Sequence, residues 1–189
     1  YGLKVTERAE YEFRAMDMGN VMHMALEKFA AEVRKEGLDW AELTEEERNR
    51  IIDSCLDQVS ADYGNTVLKS SARNEYMIER TRRILRRTVW ALQEQLKHGA
   101  FRPEGFEVRF QGGRIDRVDI MEEPENNRVY VKVIDYKTGN TSFDLLALYH
   151  GLQLQLMVYL DGALQVEKRK YPDREIVPAG VFYYNVKDP

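Results

Sequence analysis

The chain has 189 residues, 28 Lys and Arg against 32 Asp and Glu, 43% hydrophobic residues and one cysteine. This is enough chain for a single domain with a real core, and the composition is that of an ordinary globular protein. No apolar run approaches membrane-spanning length, one cysteine excludes an internal disulfide framework and an all-cysteine zinc site, and the net charge of −4 argues against a generally basic nucleic-acid-binding surface while leaving room for local basic patches.

The chain opens on Tyr1-Gly2-Leu3-Lys4, without an initiator methionine or a secretory signal, and stops at Lys187-Asp188-Pro189; the expectation is a piece of a longer protein. Met18, Met22, Ala25, Leu26, Phe29 and Val33 recur at helical spacing and predict a first helix, ended by Gly37. Thr44-Glu45-Glu46-Glu47 has the form of a capping box and opens a second helix with Ile51, Leu56 and Val59 on its apolar face. Gly64-Asn65 breaks it. A third helix is expected from about 72 to 98, with Met77, Ile84, Leu85, Thr88, Leu92 and Leu96 on one side.

The character changes at Pro103. Residues 106–110, 114–121 and 128–137 read as three antiparallel strands, joined by Gly112-Gly113 and by Pro124-Glu125-Asn126-Asn127. A helix over about 148–170 and a strand over 176–186 follow. A connection through a helix permits parallel pairing and therefore a mixed sheet. The expected fold is α/β in one domain, 1–189, with a mainly helical part over 1–100 and a sheet-bearing part over 101–189. There is no internal repeat, and no P-loop to support nucleotide hydrolysis.

Two runs carry the chemistry: Gly113-Arg114-Ile115-Asp116-Arg117-Val118-Asp119 and Val133-Ile134-Asp135-Tyr136-Lys137-Thr138-Gly139. Asp116 and Asp135 lie at equal distances from a turn centred between Glu125 and Asn126. An antiparallel hairpin sets them opposite each other, with Cα atoms roughly 4.5–5.5 Å apart. Like charges there repel, and a divalent cation is the simplest neutraliser. Lys137, two residues beyond Asp135, projects from the same face. Aspartates suit Mg²⁺ or Mn²⁺, such a cation activates water and clamps a phosphate, and a lysine stabilises developing charge or helps to activate the water. The competing reading is a set of surface strand charges, with Lys137 or Arg109 paired to an aspartate.

Together with Gln153-Leu154-Gln155-Leu156-Met157-Val158-Tyr159, these runs resemble the RecB-type nuclease family of the PD-(D/E)XK superfamily, and within it the C-terminal nuclease domains of AddB-type helicase–nuclease proteins. Tyr1-Gly2-Leu3-Lys4 and Gly19-Asn20-Val21-Met22-His23 resemble the N-terminal portion of those domains; residues 37–72 are the least diagnostic. The resemblance implies a restriction-endonuclease-like mixed central sheet flanked by helices, with an N-terminal helical extension. It implies Asp116 and Asp135 as metal ligands, Lys137 as the catalytic lysine and His23 as a further ligand. On a helical wheel His23 falls at the border of the Met18/Met22/Phe29 stripe, where a structural role is the alternative. An imidazole ligand favours Mn²⁺ over Mg²⁺.

Glu107 shares a face with Asp116 across the Gly112-Gly113 turn, and reads either as an extra ligand or water-orienting group or as an exposed strand glutamate. Gln155 and Tyr159, one helical turn apart, resemble the family's element beside the metal centre; Gln153 is the weaker candidate, and a buried amide tying helix to sheet is compatible with either. Arg73, Arg80, Arg83 and Arg87 line the third helix away from its apolar stripe, as DNA phosphate contacts or as a solvated face with Glu75, Glu79 and Glu94. Cys55 reads as a plain helix residue.

The function implied is a Mg²⁺- or Mn²⁺-dependent DNA exonuclease in the bacterial cytoplasm, cutting single strands fed to it by an AddA-type helicase/nuclease partner during processing of double-strand ends, with slight sequence preference. A degenerate nuclease fold that binds DNA or a partner without cutting, and a stand-alone phage-type exonuclease, are the alternatives. Many AddB-type proteins bind an iron–sulfur cluster through four cysteines flanking this region; Cys55 matches none of them.

Overall fold

The computed structural model describes residues 15–64, 72–138, 142, 144–150 and 153–186. The readings at Tyr1-Gly2-Leu3-Lys4, Asn65, Gly139 and Lys187-Asp188-Pro189 lie outside the described residues. The elements are α1 (Ala15–Lys35), α2 (Glu45–Gly64), α3 (Ala72–Lys97), β1 (Arg102–Phe110), β2 (Gly113–Glu123), β3 (Arg128–Lys137), α4 (Leu145–Tyr149), α5 (Gln155–Lys170) and β4 (Glu175–Asn185), with short 3₁₀ turns at Trp40–Glu42 and Pro124–Asn126.

Local signals act as the sequence suggests at most element ends. Gly37 takes φ +66° past the end of α1, and the Leu38 N–H returns to the Val33 carbonyl. Thr44 and Glu47 close the capping box: the Glu47 N–H donates to Thr44 Oγ1 at 3.2 Å, and the Thr44 N–H donates to the Glu47 carboxylate at 3.0 Å. Asn127 adopts left-handed φ and ψ (55°, 40°) to send the chain back into β3, a conformation asparagine tolerates better than most residues.

The sheet order is β1-β2-β3-β4, with β1, β2 and β3 antiparallel and β4 parallel to β3. The mixed sheet expected from the helical connection is present. Two departures have local causes. β1 starts at Arg102 rather than near 106, because Pro103 sits on an edge strand, where its missing N–H costs no ladder bond. The single helix expected over 148–170 is two, α4 and α5. Asp144 caps α4 by accepting the Leu146 and Ala147 N–H groups, and the Gln153 side chain holds the Asp144 N–H and the Ser142 carbonyl instead of lying along a helix.

Each sheet face has its own core. Met22, Ala25, Leu26 and Phe29 of α1, Ile52, Leu56 and Val59 of α2 and Ile84, Leu85 and Leu92 of α3 pack together with Ile134 and Tyr136 of β3. On the opposite face Val118, Ile120, Val129, Val131 and Val133 meet Ala163, Leu160 and Leu164 of α5. Gly162 is required there: a Cβ would stand 2.4 Å from the Phe110 ring, which packs edge-on against Tyr159. Cys55 is 1% exposed in the helical core, and burial pushes its thiol up to about 11. Thiolates, not thiols, react. Alkylation at pH 8 followed by peptide mapping is therefore expected to leave Cys55 unmodified in the native protein and to label it fully in denaturant.

Candidate active site

The β2–β3 ladder runs Glu123↔Arg128 to Arg117↔Ile134, the register set by a turn centred between Glu125 and Asn126. Extended by one residue it faces Asp116 with Asp135. At that point backbone pairing gives way to a side chain: Asp116 Oδ2 accepts the Tyr136 N–H at 2.7 Å. The carboxylate replaces a carbonyl, and the two strands part at the end of the sheet where β2 begins and β3 ends.

Strand alternation fixes the directions of the side chains. Ile134 and Tyr136 belong to the helical core and Val131 and Val133 to the α5 core, so Asp135 and Lys137 share the α5 face. β1 and β2 both change face beside the site. Phe106 packs on the helical core but Val108 on the α5 core. Arg117 lies over Trp40 and Phe106, whereas Ile115 belongs with α5. The residues at the changes are Glu107 and Asp116. Glu107 has φ +50°, a conformation that costs a non-glycine residue about 1–3 kcal/mol and collects at functional positions.

The result is a compact donor group. His23 Nδ1 lies 3.5 Å from Asp116 Oδ1 and 3.7 Å from Glu107 Oε1, and His23, Glu107 and Asp116 each place one ligand atom within 4.8 Å of the others. Close approach of α1 makes this reach possible. At Gly19, one turn before His23, a Cβ would stand 3.2 Å from Thr138 Oγ1 at the end of β3. Burial alone would lower the His23 imidazolium, but the Asp116 and Glu107 carboxylates outweigh it and push the group up to about 10. Arg114 closes the far side by an ion pair with Glu107.

Asp135 stands beside this group rather than inside it. Its Oδ2 is 2.7 Å from Lys137 Nζ. Burial first, then the Asp116 charge, hold its carboxyl above the ordinary range against the opposing pull of Lys137. The Lys137 ammonium is also 3.4 Å from Gln155 Oε1, and Gln155 Nε2 donates to the Tyr159 hydroxyl at 2.8 Å. Gln155 is exposed and linked on both sides, so its amide ties the helix to the lysine without being buried. A cleft of about 550 Å³ opens over the group, lined by His23, Glu107, Arg114, Asp116, Tyr159 and Tyr63 among others. Arg73, Arg80, Arg83 and Arg87 do not line it; they lie on α3, whereas α1, α2 and α5 supply its helical wall.

A divalent cation fits this donor set. Carboxylate oxygens and one imidazole suit Mn²⁺ and, less well, Mg²⁺. The buried Glu107 Oε2 and Asp135 Oδ2 face their ion-pair partners, Arg114 and Lys137, without accepting a well-aligned hydrogen bond, so both keep lone pairs for a ligand. Sequence reasoning missed the Arg114–Glu107 pair, for which a signal existed: in the β1–β2 register Arg109 faces Arg114, so Glu107 is its diagonal neighbour. It also missed Tyr63, whose hydroxyl takes a hydrogen bond from Asn20 and donates to Asp17 on α1; a tyrosine at a helix end carries no pattern that points there.

A family model described as the PD-(D/E)XK nuclease superfamily matches residues 1–189. The chain is 46% identical over 197 residues to the B-type subunit of the ATP-dependent helicase/deoxyribonuclease of Lachnoclostridium phytofermentans, a match that covers all of this chain and 17% of that protein. It is 37% and 36% identical over 209 residues to the proteins of the same name from Alkaliphilus metalliredigens and Alkaliphilus oremlandii, again over all of this chain and 18% of each relative. The chain thus spans less than a fifth of the length of these curated relatives.

Proposed function

This chain belongs to the PD-(D/E)XK nuclease superfamily, and on that premise we propose that the cleft is the centre of a Mg²⁺- or Mn²⁺-dependent deoxyribonuclease. The observation that carries the reading is the convergence of His23, Glu107 and Asp116 within 4.8 Å, beside the Asp135–Lys137 pair. Asp116, His23 and Glu107 hold the cation, with Asp135 as the adjoining carboxylate. When bound, the cation supplies Lewis-acid activation of water and charge neutralisation at a phosphate.

The remaining chemistry belongs to the side chains of the chain. Lys137 presents an ammonium to the phosphoryl oxygens as they gain charge. Gln155 and Tyr159 fix the position of that ammonium from α5. Asp116, bonded to the Tyr136 backbone, cannot swing away from β3, so the acidic group is set before substrate arrives. Asn20 and Arg114, lining residues of kinds that read base edges, are engaged by Tyr63 and Glu107, which fits a backbone-directed enzyme with slight sequence preference.

The names of the relatives support a setting. The domain works as the nuclease of a larger bacterial, cytoplasmic helicase–nuclease protein, with an AddA-type partner, as an exonuclease on single strands at unwound double-strand ends. No described helix is long and apolar enough to cross a membrane. The alternative of a degenerate, non-cutting scaffold is disfavoured because Asp116, Asp135 and Lys137 are all present and mutually placed.

Metal binding tests the reading without depending on turnover. Calorimetric titration of the full-length protein with Mn²⁺ is expected to show a site whose affinity falls at least tenfold in Asp116→Asn and in Glu107→Gln, the loss typical of altered metal-site ligation. Unchanged affinity in both variants would remove the centre from this cleft.

A further inference from the structure

α3 carries two arginine pairs with different fates. Arg82 and Arg86 face α2 and are neutralised, Arg82 by Asp57 of α2 at 2.7 Å and by Glu79 of α3 itself at 3.1 Å, Arg86 by Asp53 of α2. Arg83 and Arg87, each one residue further on, are exposed and pair with no carboxylate among the described residues. They share a stripe with two large exposed aromatic residues, Tyr76 (59% exposed) and Trp90 (46%). The spacings from Tyr76 to Arg83, Arg87 and Trp90 are seven, eleven and fourteen residues. Those spacings keep all four on one side of a helix, over roughly 21 Å. Of the acids bordering the stripe, Glu79 is engaged by Arg82 and Glu94 by Lys97 at 3.0 Å.

The stripe also has a position relative to the cleft. Near the C-terminal end of α3, Leu96 shares a cavity with Phe101, Arg102 and Pro103, where β1 begins and away from Glu107. Two turns earlier, the Arg87 charge acts on Tyr184. The helix therefore runs antiparallel to β4. Arg83 and Tyr76 lie further along, towards the end of the sheet where Tyr136 pairs with Tyr184 and Lys137 with Asn185. The stripe approaches the same end of the sheet as the acidic cleft, from the β4 edge.

We propose that this α3 stripe is a track for single-stranded nucleic acid, outside the cleft and independent of its metal chemistry. Arg83 and Arg87 take phosphates, and Tyr76 and Trp90 stack bases. Uncompensated cations on an acidic chain select a polyanion. Exposed aromatic faces between them select unpaired bases, because only a single strand presents bases for stacking, and such stacking is tolerant of sequence. A strand held there is led round the β4 edge towards the cleft.

The test uses the full-length protein with chelator present, so that strands are bound and not cut. Binding of a fluorescent oligothymidylate is followed by anisotropy over a salt series. Arg83→Ala with Arg87→Ala is expected to flatten the log K against log salt slope by about 1.4, the value for two phosphates on a single strand. Arg83→Lys with Arg87→Lys is expected to keep the slope, since both charges remain. Tyr76→Ala and Trp90→Ala are each expected to weaken binding roughly tenfold at every salt concentration. Irradiation of an oligonucleotide carrying 5-iododeoxyuridine, followed by peptide mapping, is expected to give adducts on Trp90 or Tyr76. Adducts confined to other segments, together with an unchanged slope, would overturn the proposal. So would variants that bind DNA normally but lose a protein partner, which would make the stripe a protein-docking face. Neither outcome bears on the Mn²⁺ titration, so the track and the metal centre stand or fall separately.

Discussion

Lys137→Ala is expected to lower the rate of DNA cleavage by the full-length protein about 10²–10³-fold, the cost of removing one preorganised charge from a transition state. The geometry gives the reason. The ammonium is 2.7 Å from Asp135 and 3.4 Å from Gln155, and lies 5.3 Å from the centre of the Tyr183 ring, so a cation is held beside the acidic group, where the proposed mechanism has a phosphate gain charge. Because that charge develops during reaction, the loss should fall on kcat with little change in KM. Lys137→Arg should rescue only in part, since a planar guanidinium cannot reproduce the contacts of a compact ammonium. Gln155→Ala should have a smaller effect in the same direction, because it leaves the charge and removes only one of its positioning contacts. Single-turnover cleavage of linear DNA checks all three, and a Lys137→Ala protein that cuts at the wild-type rate would refute the assignment.

The parts of this site visible in the sequence are those fixed by short-range rules. The opposition of Asp116 and Asp135 follows from one turn centre, because register in a two-stranded ribbon propagates from its turn. The helical stripes and the Thr44–Glu47 box follow from spacing alone. What the sequence did not disclose depends on breaks in regularity. Alternation cannot announce that β1 and β2 change face, and a left-handed glutamate at 107 carries no compositional mark. The Glu107–Asp116 opposition was legible from spacing, whereas the place of His23 came from the family resemblance alone, spacing leaving it at the border of the apolar stripe of α1. That place depends on α1 meeting Thr138 at Gly19, a tertiary contact between residues more than a hundred positions apart. The break between α4 and α5 was hidden for a related reason: Leu148, Leu156 and Ala163 keep a helical rhythm across it, while the capping by Asp144 and Gln153 is a matter of side-chain competition for backbone groups.

Arginine-to-carboxylate pairing inside the sheet was equally silent in the sequence, and it leads to the largest stability effect. Asp119→Ala is expected to destabilise the sheet by about 3–5 kcal/mol, the cost of breaking a buried ion pair on one side. Arg117 is 1% and Asp119 0% exposed. They join through two contacts, Nε to Oδ1 at 2.5 Å and Nη2 to Oδ2 at 3.0 Å, with Lys132 Nζ a further 3.0 Å from Oδ2. The guanidinium is roofed by Trp40 at 5.4 Å and Phe106 at 5.6 Å. With Asp119 gone, Arg117 can neither deprotonate nor reach water, whereas Lys132, partly exposed, can turn outward. The loss is a large fraction of a domain's total stability. Replacing both partners, Arg117→Met with Asp119→Leu, should be neutral or stabilising, because no charge is then left behind. Hydrogen exchange of the β2 and β3 amides across a urea series reports this sheet even within a longer protein. A loss below about 1 kcal/mol in Asp119→Ala would mean that Arg117 finds another acceptor. The double variant also separates fold from chemistry: Arg117 adjoins Asp116, so if Mn²⁺ affinity survives the double exchange, the pair anchors the strand without tuning the site.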